Sequence, residues 1–307
     1  MAGKSEISDA LAGIAIGKIL YDEPMLRYTS LCVGGNAGAL VFVESENQLI
    51  EIVRRLREKR INFLPVGNLT NIIVRDGGYR GAILVMKGLK EINCVPEPEG
   101  SYMIYAQVGA SLSGLVNFAA AKELTGMEFC AGIPGSVGGA VWMNAGAYGN
   151  EIKDIIQTIS LLTTEGEKIT MRREEISFGY RSSCLPSESI ILNAKFKLKK
   201  GQSEQIKGKI SEIILSRQKK HPLNFPNAGS IFKNLQAQPA GRIIEELGLK
   251  GTSCNDAEIS PVHANFIVNK GKATASDVLS LITTIQTKAK KEKGINLETE
   301  VVIIGED

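Results

Sequence analysis

Two glycine-rich stretches carry the first chemical possibility in this chain. Gly67-Asn68-Leu69-Thr70-Asn71 follows an apolar run that reads as a strand, and Gly132-Ile133-Pro134-Gly135-Ser136-Val137-Gly138-Gly139 is longer and richer in glycine. Where no β-carbon intervenes, backbone N–H groups can approach an anion and the chain can adopt positive φ, so both loops could cradle phosphate. Neither fits the GxxxxGK[ST] pattern of a P-loop or the GxGxxG of a simple dinucleotide fold, and one such loop alone is more often a tight turn than a site. Two in one domain point to a dinucleotide with a pyrophosphate. Ser230, after Asn227-Ala228-Gly229, sits just past a turn, with the carboxamide of Asn234 following. No GxSxG surrounds it, and neither His221 nor His263 carries a signal marking it as its base, which disfavours a nucleophilic-serine hydrolase. By residue type alone Arg181 is a surface cation and Glu300 an exposed strand residue.

The elements that must position these residues alternate between helix and strand. Ser45 to Arg60 has a capping box at Ser45 and Gln48 and an apolar face of Leu49, Ile52, Val53 and Leu56, which predicts a helix. Strands are expected at Phe63 to Val66, Ile72 to Val74, Tyr102 to Val108, Ile159 to Thr163, Lys168 to Met171 and Ile190 to Leu198, with a helix from Leu112 to Lys122. The composition turns to Lys, Gly and Ser near Lys199 to Ser203, where a domain boundary is expected. Beyond it, a helix to about Lys219 should bury Ile206, Ile210, Ile213 and Ile214. A helix from Ala240 to Leu247 ends at Gly248, Ala264 to Val268 reads as a buried strand, and Thr274 to Lys291 as a helix capped by Thr274 with Asp277 and closed by Gly294. Leu297 to Ile304 is expected as a last strand, its period of two placing Glu298, Glu300, Val302 and Ile304 on one face.

Composition narrows the classes. The 307 residues are 43 % apolar and 22 % charged, values of a globular chain rather than a fibrous or disordered one. Thirty-six Lys and Arg against 33 Asp and Glu leave +3, too near balance to argue for a nucleic-acid surface. The longest uncharged apolar stretches, such as Ala131 to Asn150, are broken by Gly and Pro, so no membrane span is expected. Met1 to Gly17 lacks the basic start and long apolar core of a secretory signal. Cys32, Cys94, Cys130, Cys184 and Cys254 form no CxxC pair, which suits a reducing compartment and excludes a structural zinc. A cytoplasmic protein without a metal is expected.

Taken in order, a longer series of motifs is specific. Tyr28-Thr29 with Val33-Gly34-Gly35, Gly67 to Asn71 with Asp76-Gly77-Gly78, and Gly126-Met127-Glu128-Phe129 leading into the second glycine-rich loop come first. Met143-Asn144-Ala145-Gly146-Ala147-Tyr148-Gly149, Tyr180-Arg181-Ser182-Ser183, Ala228-Gly229-Ser230-Ile231-Phe232-Lys233-Asn234, His263-Ala264-Asn265-Phe266 and Leu297-Glu298-Thr299-Glu300 follow. Over nearly its whole length the chain resembles the UDP-N-acetylenolpyruvoylglucosamine reductases. The resemblance implies an α/β (α+β) architecture: a vanillyl-alcohol-oxidase (PCMH-type) FAD-binding fold of two subdomains over residues 1–200 and a C-terminal α+β substrate-binding domain over 201–307. It also implies an enzyme of peptidoglycan precursor synthesis that uses NADPH and non-covalent FAD to reduce the enolpyruvyl ether of a UDP-sugar to UDP-N-acetylmuramate.

By that resemblance Arg181 holds the substrate carboxylate, Ser230 is the proton donor, and Glu300, expected to be partly desolvated with a raised pKa, helps polarise the carboxylate. Asn234, Lys233 and Tyr180 are expected at the substrate. The flavin is expected against Gly67, Asn68, Thr70, Asn71, Gly132, Ile133, Pro134, Gly135, Ser136, Gly138 and Gly139, with Asn144, Gly146 and Ala147 nearby. The partner is a small UDP-sugar, with no nucleic acid and no membrane, and the chain is expected as a monomer or weak homo-oligomer. The short span from Arg181 to the next strand implies the short form of the family, without its substrate-covering tyrosine loop. Departures are Leu69 and Thr70 in place of the family's glycine and serine, Cys254-Asn255-Asp256-Ala257 in place of Ile-Gly-Gly-Ala, and His221 in place of glutamine. An oxidase of the same flavin fold and a non-catalytic flavin- or UDP-sugar-binding protein are the competing readings.

Overall fold

The structure, a computed structural model, describes residues 4–307. One four-stranded sheet runs in the order Lys18–Pro24, Asn36–Phe42, Tyr79–Val85, Phe63–Val66, the last two parallel. The Glu46–Glu58 helix leads into Phe63–Val66. Its cap Ser45 accepts the Gln48 N–H at 3.2 Å, and Leu49, Ile52, Val53 and Leu56 are buried as their spacing requires. Gln48 departs from a full capping box, because its Oε1 accepts the N–H of Glu44 rather than that of the cap residue.

The larger sheet is antiparallel, in the order Lys168–Arg172, Ile156–Leu162, Ile190–Lys200, Ser101–Gln107, Ile92–Pro96, with Leu124–Thr125 also paired to Ile190–Lys200. Along its central strand Leu192, Ala194, Phe196 and Leu198 are buried while Lys195, Lys197 and Lys199 are exposed, the alternation of a sheet with one covered face. The Leu112–Ala121 helix starts at Ser111, whose Oγ accepts the Gly114 N–H.

Contacts divide the chain into two compact units, each built from separated segments. The first takes the chain up to Leu20 with Ala39–Asn68 and Gly81–Ser216; the second takes Tyr21–Gly38, Leu69–Arg80 and Arg217–Asp307. The core of the second unit shows why it reaches back into the N-terminal sequence: Leu31, Val33 and Ile73 pack with Ile231, Phe232, Ile243, Ile244 and Val278. Burying each such side chain contributes about 1.5–3 kcal/mol. Ile72–Val74 also pairs in parallel with Val302–Ile304.

Three expectations are corrected. In the Ser203–Lys220 helix Ile206 and Ile213 are buried, but Ile214 is 38 % exposed, since it lies a further 100° round the helix from Ile213. The expected strand from Leu297 to Ile304 is regular only over Val302–Ile304. The N–H groups of Glu300 and Val301 both donate to the Ile231 carbonyl, a local irregularity before the regular strand, yet the period of two holds: Leu297 and Val301 are buried while Glu298 and Val302 are exposed. Within Ala264 to Val268 only Ile267 and Val268 belong to a strand, Ile267–Asn269. The N-terminus, which has no clear pattern, holds the Lys4–Leu11 helix with Ile7, Ala10 and Leu11 buried.

The Ala275–Lys293 helix has the predicted Thr274–Asp277 capping box and closes at Gly294 with φ +67°. It carries a second cap from far away in the sequence. Asp76 accepts the Ala275 N–H at 2.9 Å through Oδ1, and the Ser276 N–H at 2.8 Å and hydroxyl at 2.5 Å through Oδ2. Asp76→Ala removes the acceptor of two helix N–H groups and is expected to lower stability by about 1–2 kcal/mol. Urea unfolding checks this, and a loss no larger than that of Ser276→Ala would show that the carboxylate caps nothing of consequence.

Candidate active site

Within the first unit the two glycine-rich loops meet. A β-carbon on Gly67 would lie 2.0 Å from Ser136 Oγ and 2.8 Å from its Cβ, so glycine is required there by contact with the second loop. Ser136 is buried, and its Oγ accepts the Gly139 N–H at the start of the Val137–Trp142 helix. The N–H groups of Val137 and Gly138 donate to Ala110 and Val108, and a β-carbon on Gly138 would overlap Val108 Cγ2 at 2.0 Å. Gly138 is thus required as glycine by its packing against Val108, as Gly67 is by Ser136. Gly132 and Gly135 hold φ of +70° and +138°, conformations that favour glycine and turn the chain at the exposed rim of the loop. The backbone at exposed Gly132 and Gly139 and half-buried Gly135, with half-buried Gly67 and Asn68, is the part of this cradle that can meet a phosphate.

Asn144 follows the same helix and is fully buried. Its Nδ2 donates to Glu151 Oε2 at 3.0 Å and to the Gly179 carbonyl at 2.9 Å, and its Oδ1 accepts the Lys153 N–H at 3.0 Å. These three bonds to protein groups account for both of its donors and one of its acceptor lone pairs. What it holds is the hairpin of Ser177–Gly179 and Ser182–Cys184, also tied by the Ser183 hydroxyl to the Trp142 carbonyl. Tyr180 and Arg181 form the turn of that hairpin. Arg181 has φ +54°, and its guanidinium lies 5.1 Å from the Tyr180 ring centre.

Within the second unit, Ser230 ends an Asx turn. Asn227 Oδ1 accepts the Gly229 N–H at 3.0 Å, Gly229 takes φ +77°, and Ala228 is buried, so half-buried Ser230 is presented by a fixed loop. The next residues form a ribbon beside the C-terminal segment, with Glu300 donating its N–H to Ile231 at 2.7 Å and Lys233 donating its own to Glu298 at 2.9 Å. Lys233 Nζ pairs with Glu298 Oε1 at 2.5 Å. Asn234 Oδ1 accepts the Ala240 N–H, which caps the Ala240–Glu246 helix. Asn71 Nδ2 donates to the Glu300 carbonyl at 3.1 Å. Ser230, Lys233, Asn71 and Glu300 are thereby linked through one short stretch of backbone. Asn144 and Asn265 are positions to which residue types alone assign no role; a carboxamide inside the apolar run Ala264 to Val268 is the one visible sign of the latter.

Residues 37–172 match the model of the FAD-binding domain family, and residues 221–304 match that of the UDP-N-acetylenolpyruvoylglucosamine reductase C-terminal domain. A UDP-N-acetylenolpyruvoylglucosamine reductase of Syntrophus aciditrophicus (strain SB) is 49 % identical over 301 residues, covering 98 % of this chain and 96 % of that one. The chain belongs to this reductase family. The reductase of Geobacillus kaustophilus is 42 % identical over 94 % of both chains. The crystal structure of the reductase from Thermus caldophilus superposes with a TM-score of 0.77 at 33 % identity, covering 93 % of this chain and 98 % of that one. The FAD-binding and α/β architecture implied by the motif series is therefore that of this chain.

Within the family the Leu69 departure has a physical account. Leu69 holds φ +56°, which suits the glycine expected there and costs a leucine about 1–2 kcal/mol. Its side chain is 4 % exposed, and burial contributes about 1.5–3 kcal/mol, which offsets the backbone strain. Asn255, in place of another family glycine, holds φ +47°, which asparagine tolerates, and its Nδ2 donates to Asp277 at 2.7 Å. The loop contact gives a direct test. Gly67→Ala must drive the two loops apart and is expected to weaken FAD binding at least about tenfold, by the strain of an overpacked contact. Fluorescence titration of flavin measures it, and the double variant Gly67→Ala with Ser136→Gly, which removes the struck atoms, is expected to regain part of the affinity.

Proposed function

We propose that this chain reduces the enolpyruvyl ether of UDP-N-acetylglucosamine enolpyruvate to UDP-N-acetylmuramate with NADPH as donor, a step of peptidoglycan precursor synthesis. Identity of 49 % to a named reductase across 98 % of the chain carries the reading. FAD, held without a covalent bond, supplies two-electron hydride exchange between the nicotinamide and the enolpyruvyl double bond. Its pyrophosphate is assigned to Gly67, Asn68, Thr70 and Asn71 and to the loop from Gly132 to Ser136, and the exposed glycine backbone of that loop supports the assignment. Residues 1–200 are assigned to the flavin and 201–307 mainly to substrate. The free thiols fit a reducing cytoplasm, where the protein is placed as a monomer or weak homo-oligomer. Among the described residues no helix is long and apolar enough to cross a membrane.

The roles follow from the charge that the reaction creates. Addition of hydride to the terminal alkene carbon leaves negative charge shared between the neighbouring carbon and the carboxylate. Arg181 holds the carboxylate through its planar fork, which offers two parallel donors. Its backbone is fixed by a hairpin bonded on both strands, so the fork needs little reorganisation. Ser230 Oγ–H delivers the proton to the charged carbon, and the rigid Asx turn before it supports that role. Glu300 completes the polar surroundings of the carboxylate, while Lys233, Asn234 and Tyr180 orient the UDP-sugar.

Oxidation of NADPH by the FAD-supplemented protein, without oxygen, is expected to be catalytic only when the enolpyruvyl UDP-sugar is present. Stoichiometric bleaching of the flavin without turnover would sink the reading. Ser230→Ala is expected to leave flavin reduction by NADPH within about twofold while slowing reoxidation by the enolpyruvyl substrate at least about a hundredfold, the size of effect of a lost proton donor. Equal loss in both half-reactions removes Ser230 from that role. Arg181→Lys substitutes a point charge for a fork and is expected to lower kcat/KM for the enolpyruvyl substrate about tenfold or more. Unchanged steady-state kinetics in that variant would take Arg181 out of the mechanism.

A further inference from the structure

Asn265 is 2 % exposed and stands in an otherwise apolar run. Its main-chain oxygen accepts the Ile231 N–H at 2.8 Å, its Oδ1 accepts the Phe232 N–H at 3.0 Å, and its Nδ2 donates to the Phe232 carbonyl at 2.8 Å. The side chain thus supplies the donor and acceptor that a neighbouring strand would supply. The chain at this point turns away instead, with the Asn265 N–H donating to His263 Nδ1 and the Phe266 N–H to the His263 carbonyl. Phe232 is fully buried, so without the carboxamide both of its backbone polar groups would be left unpaired away from water. The opposite edge of the same ribbon binds the Glu300 N–H through the Ile231 carbonyl, and Phe232 lies opposite Thr299. Ser230 is the residue before this ribbon, and Glu300 is bonded across it.

We propose that Asn265 is a positioning residue of the reductase: its carboxamide fixes the Ile231–Phe232 ribbon and so sets the Ser230 hydroxyl relative to Glu300, without touching substrate. The inference rests on the reductase reading given above. A merely apolar filling of the site would not do this, because the constraint is the pairing of one donor and one acceptor with a single peptide unit.

Asn265→Asp tests it. A protonated carboxyl reproduces both the acceptor and the donor, whereas an ionised one loses the donor and sets charge against the Phe232 carbonyl. Burial raises the pKa of such a carboxyl, so the change is read between about pH 5.5 and 8.5. The native profile over this range serves as reference for the surrounding titratable groups: His263, with His221, Glu245 and Lys250 beside it, and Lys233, Glu298 and Glu300 along the ribbon. Burial brings His221 down to about 4 and lowers His263 as well. In Asn265→Asp, reoxidation of the NADPH-reduced enzyme by the enolpyruvyl substrate is expected to fall about tenfold or more as pH rises, and to recover when pH is lowered, while flavin reduction by NADPH follows the native profile. Asn265→Ala is expected to be slow at every pH, with faster amide exchange confined to residues 230–233 in the flavin-free protein. The inference is overturned if Asn265→Asp tracks the native enzyme at all pH values, or if Asn265→Ala loses both half-reactions with exchange raised throughout the unit. A native protein that does not turn over the enolpyruvyl substrate fails the reductase reading itself, and the amide-exchange result then stands alone as the check on the clamp.

Discussion

Contact between Gly67 and Ser136 is the constraint from which the first unit's site is built. The Gly67 backbone lies too close to the Ser136 side chain for a β-carbon, so the first glycine-rich loop is seated on the residue that caps the Val137–Trp142 helix. That helix is fixed in turn by Gly138 against Val108 at the end of the Ser101–Gln107 strand. Its far end supplies the Trp142 carbonyl and leads to Asn144, the two anchors of the hairpin that carries Arg181. Cradle and arginine therefore belong to one solid block, and a disturbance at the loops has a short path to the guanidinium. Close-packed interiors pass on such displacements rather than absorbing them.

The second unit solves a different problem. Its site-bearing chain is irregular between residues 226 and 234, and irregular buried backbone must still pair its polar groups. Carboxamides and one carboxylate do this work. Asn227 closes the turn before Ser230, Asn265 pairs with Phe232, Asn71 reaches the Glu300 carbonyl, and Asn269 donates to the Leu31 carbonyl while accepting from Gly271 and Ala273. Asp76 completes the start of the Ala275–Lys293 helix. Each of these side chains can bind two or more backbone groups at once, which an apolar residue of equal volume could not, so polarity here specifies one backbone path.

Legibility in the sequence follows the range of the interactions. The Glu46–Glu58 and Ala275–Lys293 helices were readable because cap, apolar stripe and stop lie within a few residues of one another. The parallel pairing of Ile72–Val74 with Val302–Ile304 was not, since an apolar run names no partner. Nor was the doubled hydrogen bond to the Ile231 carbonyl, ahead of a regular strand only three residues long, although the alternation that the spacing of Glu298, Glu300 and Val302 suggests is kept. The glycine-rich loops announced a cradle by composition, but only contact distances separate Gly67 and Gly138, required by packing, from Gly132 and Gly135 at the rim. The roles proposed for Arg181, Ser230 and Glu300 rest on an ordered series of motifs and not on residue type, because an arginine in a turn and a glutamate near a strand are ordinary surface features.

Backbone strain at Arg181 has a different origin from that at Leu69 and Asn255. A residue with a side chain in this region costs about 1–3 kcal/mol, and it persists only where the surroundings over-determine it. At Leu69 the burial of a large apolar side chain offsets that cost, and at Asn255 a short polar side chain bonds to Asp277. Arg181 is a long, half-buried cation whose backbone sits between a paired Gly179 and Ser182, so its conformation is imposed by the hairpin. The hairpin in its turn is held by Asn144, whose Nδ2 donates to the Gly179 carbonyl. Strain at Arg181 and the bonds of Asn144 are thus two sides of one arrangement, in which a buried amide holds the arginine proposed to bind substrate in a geometry its own sequence would not choose.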